Sequence, residues 1–67
     1  MIYEKISVVK AGNYYTVEIT TDNGYFYKNF RLKKDATRDA QFIRESLKRG
    51  GNPKFMLEHQ KYKWMNK

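Results

Sequence analysis

Apolar and polar residues alternate from the start of the chain. Over residues 2–10, Ile2, Ile6 and Val8 fall on one side and Tyr3, Lys5, Ser7 and Val9 on the other. Period two in β-branched residues predicts a strand. Residues 14–21 repeat the pattern, with Tyr15, Val17 and Ile19 opposite Tyr14, Thr16, Glu18 and Thr20. Residues 25–32 do so a third time, with Phe26, Lys28, Phe30 and Leu32 opposite Tyr25, Tyr27, Asn29 and Arg31. Ala11-Gly12-Asn13 and Asp22-Asn23-Gly24 separate the three runs, and their Gly and Asn tolerate the positive φ of short hairpin loops. The pattern predicts an antiparallel meander with one apolar face and one mixed face.

The period then lengthens. Ala36, Ala40, Ile43 and Leu47 recur at spacings of four, three and four, the apolar stripe of a helix that covers a sheet. Asp35 is its expected N-cap, and Gly50-Gly51 its expected end, with Lys48 and Arg49 complementing the negative C-terminal pole. Asn52-Pro53 opens a second helix, expected to dock through Phe55, with His59 and Tyr62 on the same stripe. The expected class is α+β, a three-stranded antiparallel β-meander packed on one α-helix at 35–49 and followed by a short C-terminal helix. One small domain spans 1–67. Residues 1–49 form its β-β-β-α core, and 52–67 a basic, aromatic helix or tail.

Composition narrows the chemistry. The 67 residues include no cysteine and one histidine, His59, so neither a disulfide nor a cysteine- or histidine-rich metal site is available. The carboxylates are scattered, none beside a nucleophile–base pair. The four glycines sit at predicted turns or helix ends rather than in a phosphate-binding loop. The expectation is a protein that is not an enzyme and takes no cofactor, metal or small-molecule substrate. No apolar run approaches the roughly 18 residues of a membrane span. Glu4 and Lys5 interrupt the stretch a signal peptide needs to be apolar, which makes a cytoplasmic location the expected one.

Charge adds direction. The net charge is +7, but residues 1–27 carry two lysines against three acids, whereas residues 28–67 carry twelve cations against four. A one-sided field of this kind captures polyanions. The mixed face offers Tyr14, Thr16, Tyr25, Tyr27, Asn29 and Arg31, types that read base edges or bind phosphates. Lys5, Lys10, Lys28, Lys33 and Lys34 would neutralise the backbone beside them. The same tyrosines suit stacking on single-stranded DNA or RNA. DNA, as a duplex, is favoured over RNA.

The segments GNYYTVEI and GYFYKNFRLKKDATRDAQFIRE, in the order strand, strand, strand, helix, resemble the amino-terminal arm-binding domains of tyrosine recombinases, which are similar to the AP2 fold. Gly12-Asn13-Tyr14-Tyr15 matches the family's glycine-aromatic opening of strand two. Residues 30–36 match its run into the helix, with Leu32 where threonine is usual. The resemblance covers residues 6–49. It implies a sheet face entering the major groove through Tyr14, Thr16, Tyr27, Asn29 and Arg31. It also implies an accessory or regulatory factor of a phage or mobile element, since no recombinase domain follows. The alternative is a protein-binding adaptor or inhibitor. Phe55, Met56, Leu57, Tyr62 and Trp64 would then meet a protein partner or a second copy, since hot spots favour large aromatics.

Overall fold

The computed structural model describes residues 2–67. Three strands follow in succession, β1 (Tyr3–Ala11), β2 (Tyr14–Thr21) and β3 (Gly24–Phe30). Helices α1 (Lys33–Lys48) and α2 (Lys54–His59) come next, and a fourth strand, β4 (Lys63–Asn66), ends the chain. The sheet is antiparallel in the order β1-β2-β3-β4. The α+β class, the antiparallel sheet and the covering helix are therefore present, but the sheet has four strands rather than three. The expected short C-terminal helix is present with six residues, and the chain after it forms the additional edge strand.

The alternation places Val17, Ile19 and Phe26 on the covered face, where Ala36, Ala40 and Ile43 of α1 and Leu57 of α2 pack on them. Ile6, Val8, Tyr15, Phe30 and Trp64 border this core. The alanines let the helix backbone come close to the strands. Thr21 is fully buried on the same face and is satisfied locally. Its hydroxyl donates to the Gly24 carbonyl at 2.9 Å and accepts from the Asn23 and Gly24 amides, each at 3.2 Å. This closes the β2–β3 turn without leaving a buried polar group unpaired.

Four details depart from the pattern. A bulge between Tyr3 and Lys5 adds one residue to β1 and reverses its side-chain parity. Tyr3 therefore borders the core while Ile2 is exposed. Leu32 is exposed because β3 ends at Phe30. Asp35 lies in the first turn of α1 rather than at its cap; the cap position is Leu32, which makes no side-chain hydrogen bond. In α2 the docking residue is Leu57, which is fully buried, whereas Phe55 points to solvent.

Both helices end in the same hydrogen-bond pattern, a Schellman motif. After α1, the Gly50 amide bonds the Leu47 carbonyl and the Gly51 amide bonds the Ser46 carbonyl, with Gly50 at φ 78°. After α2, the Lys61 and Tyr62 amides bond the Glu58 and Leu57 carbonyls, with Lys61 at φ 67°. The second turn aims the chain back along β3. Asn52 contributes to the start of α2, its side chain accepting from the Lys54 amide at 3.2 Å.

Two contacts hold β4 in place. A Cβ at Gly24 would run into the Met65 carbonyl oxygen, so the approach of β4 requires glycine there. Just before β4, Tyr62 is buried and donates its hydroxyl to the Asp39 carboxylate of α1. Burial, and then that hydrogen bond, hold the Tyr62 hydroxyl protonated well above its ordinary 10.0. No described helix is long and apolar enough to cross a membrane.

Candidate nucleic-acid interface

The face of the sheet away from the helices carries the other half of the alternation. The strand pairings set its side chains in rows. One row runs Lys5, Thr20, Tyr25, Met65, and the next Ser7, Glu18, Tyr27, Lys63. A third runs Val9, Thr16, Asn29, and the last pairs Ala11 with Tyr14. Tyr25 and Tyr27 are half-buried on an interior strand, their ring centroids 5.9 Å apart and their planes tilted by 45°. Thr16 donates to the Asn29 side-chain oxygen at 2.7 Å. That bond fixes the amide, leaving its NH₂ group free to donate outward. Among the paired strand positions of this face, Lys5 and Lys63 are the cations and Glu18 the carboxylate.

The expected site residues divide between two surfaces. Lys5, Tyr14, Thr16, Tyr25, Tyr27 and Asn29 share the open face, and Arg31 lies just beyond the end of β3. Lys28 does not join them. It pairs with Val17 on the covered side, donates to the Gln60 carbonyl at 3.0 Å, and sits 5.2 Å and 5.8 Å from the Phe30 and Tyr62 ring centroids. Its charge is spent on an internal carbonyl and two π faces. Lys10 pairs with Tyr15, also on the covered side, and lines a cleft with Arg31 and Lys33 at the end of the sheet. Lys34 is exposed in the first turn of α1.

The C-terminal residues expected to meet a protein partner are dispersed as well. Leu57 and Tyr62 belong to the core, Met56 borders it, and Trp64 packs on Phe26 at 4.7 Å between ring centroids. Of the five, Phe55 alone is broadly exposed, at 81%. Leu57 and Tyr62 cannot therefore meet a partner without opening the fold.

Lys63 and Met65, beside Tyr27 and Tyr25, were not anticipated for the open face. The signal was present in KYKWMN, where Tyr62 and Trp64 alternate with Lys61, Lys63 and Met65, a period of two rather than 3.6. Among the described residues no group of three or more His, Cys, Asp or Glu side chains gathers to hold a metal ion. Comparison with protein-family models, with curated proteins and with solved structures finds no match.

Proposed function

We propose that this protein binds single-stranded nucleic acid across the open face of its sheet and performs no chemistry on it. The observation that carries this reading is the Tyr25–Tyr27 pair on an interior strand, with Lys63 and Met65 on one side and Thr20 and Glu18 on the other. Aromatic rings on a sheet offer successive bases a stacking surface worth about 1–3 kcal/mol per base, and Lys63 beside Tyr27 offers one cation to the backbone. Glu18 can accept from an exocyclic amino group such as that of cytosine. The +7 net charge supplies the long-range attraction.

The fourth strand moves this reading away from the duplex implied by the recombinase resemblance. Four strands at about 4.8 Å spacing are about 14 Å across at their axes, wider than the roughly 12 Å of a B-DNA major groove. A duplex would be confined to the end of the face near Thr16 and Asn29, where β4 does not reach. A flexible strand meets no such limit.

The test is binding of labelled single-stranded DNA, RNA and duplex DNA in parallel over a range of salt. The expected result is a single-strand preference with a steep logarithmic salt dependence, lost in the Tyr25→Ala, Tyr27→Ala double variant. Tighter duplex binding that survives that variant would return the interface to groove reading. The absence of binding to all three at about 50 mM salt, where phosphate contacts are strong, would remove nucleic acid as the ligand. The exposed Phe55 would then be the place to look for a protein partner.

A further inference from the structure

We infer that the cleft between the β1–β2 turn and the start of α1 is a phosphate-binding subsite, which receives the backbone of the strand whose bases stack on Tyr25 and Tyr27. The inference rests on the preceding functional reading for the identity of the ligand, but on separate residues for the site. Lys10 at the end of β1, Arg31 in the β3–α1 connection and Lys33 at the first position of α1 line one cleft of about 360 Å³, with Asn13 and Tyr15. All three cations are exposed, and no carboxylate lines the cleft. Arg31 and Lys33 are close neighbours in the chain, and the fold brings Lys10 of β1 to them. Like charges held around one hollow repel, and an anion placed between them relieves that repulsion.

The cleft is also connected to the open face. Arg31 and Asn13 line an adjoining hollow of about 720 Å³ at the rim of the sheet, reached from the open face by Asn29 and from the covered side by Lys28, Phe30 and Asp35. Along β3 the open-face positions follow one another as Tyr25, Tyr27 and Asn29, and Arg31 follows just past the end of the strand. At about 3.3 Å per residue, Asn29 lies roughly 7 Å beyond Tyr27, and Arg31 comes after the strand has ended. A strand placing one base on each tyrosine and continuing along β3 thus brings its backbone to the cations. The subsite gives the bound strand a defined path along β3.

Three variants and two probes test this. The cleft variant carries Lys10→Gln, Arg31→Gln and Lys33→Gln. The remote variant carries Lys48→Gln, Arg49→Gln and Lys54→Gln, the same change in charge at the far end of α1 and the start of α2. The third is the tyrosine double variant. Each is titrated with a labelled oligothymidylate at several salt concentrations, and the wild type is also titrated with inorganic phosphate while its amide resonances are followed. Each single-strand phosphate contact adds about 0.7 to the logarithmic salt slope, so the cleft variant should lose about 2 from it. The remote variant should lose less than half as much. Equal losses in the two variants would overturn the subsite in favour of a diffuse field, while leaving the tyrosine face intact. If the wild type binds no oligonucleotide, the functional reading fails. Phosphate-induced shifts confined to residues 10–13 and 31–33 would then keep the cleft as an anion site for another phosphorylated ligand, and their absence would overturn it too.

Discussion

The two faces of the sheet are built from alternate residues of the same strands, yet they obey different rules. On β2, Val17, Ile19 and Thr21 have no exposed surface, while Thr16, Glu18 and Thr20 between them remain partly open. The covered face is closed by Ala36, Ala40, Ile43 and Leu57, and even its polar Thr21 and Lys28 are hydrogen-bonded within the fold. Among the described residues, no second layer covers the open face. Its tyrosines shelter one another and their strand neighbours, and their polar ends remain available. The difference teaches that stability can be concentrated on one face, which leaves the residues of the other free to meet a ligand.

Substitutions on either side of the sheet should therefore separate folding from binding. Ile43→Ala opens a cavity under the covered face and should cost about 3 kcal/mol in denaturant unfolding. A loss below about 1 kcal/mol would mean that α1 is not the true cover. Gly24→Ala should cost about 2 kcal/mol by driving β4 away from β3, which Trp64 fluorescence would report. An unchanged spectrum and midpoint would show that β4 does not depend on this close approach.

Tyr62→Phe removes the bond to Asp39 and should cost about 1–2 kcal/mol at neutral pH. Its pH dependence is distinctive. The folded state keeps a proton that the unfolded chain releases near pH 10, so the wild type loses stability as pH rises above that value. The difference between wild type and variant should be constant from neutral pH to about pH 10 and shrink above it; a difference that stays constant above pH 10 would remove Tyr62 from the account. Lys61→Gly relieves a left-handed residue and should stabilise the fold by about 1 kcal/mol. Thermal unfolding would detect this, and a destabilised variant would argue against the second Schellman turn. Tyr27→Ala, on the open face, should change stability by less than about 1 kcal/mol while weakening oligonucleotide binding. A larger loss of stability would collapse the distinction between the faces.

Much of this division was legible in the chain. GN and DNG fixed the two hairpins, and the period-two runs assigned Val17, Ile19 and Phe26 to one face and Tyr14, Thr16 and Tyr27 to the other. Ala36, Ala40 and Ile43 marked the helix that covers them. Where reading failed, a local signal was outweighed by a distant one. Residues 62–66 alternate over too short a length to compete with the helix-start signal of Asn52-Pro53. The bulge near Glu4 has no Gly or Pro to announce it, so the exchange of Ile2 for Tyr3 could not be seen. Lys28 was visible among apolar neighbours, but the Gln60 carbonyl that receives it is 32 residues away. The grouping of Lys10 with Arg31 and Lys33 likewise depends on how the turn and the helix start converge.

β4 also has a consequence in time. The pairings of β1 with β2 and of β2 with β3 close across turns of a few residues, whereas Tyr27 meets Lys63 only after both helices have intervened. Loop closure grows costlier with length, so the meander should assemble early and β4 should join it last. The same strand, four residues long at an edge, should be the first to exchange its amide hydrogens under native conditions. Lys63 and Met65 would come and go with it, making the border of the tyrosine pair the most rapidly renewed part of the sheet.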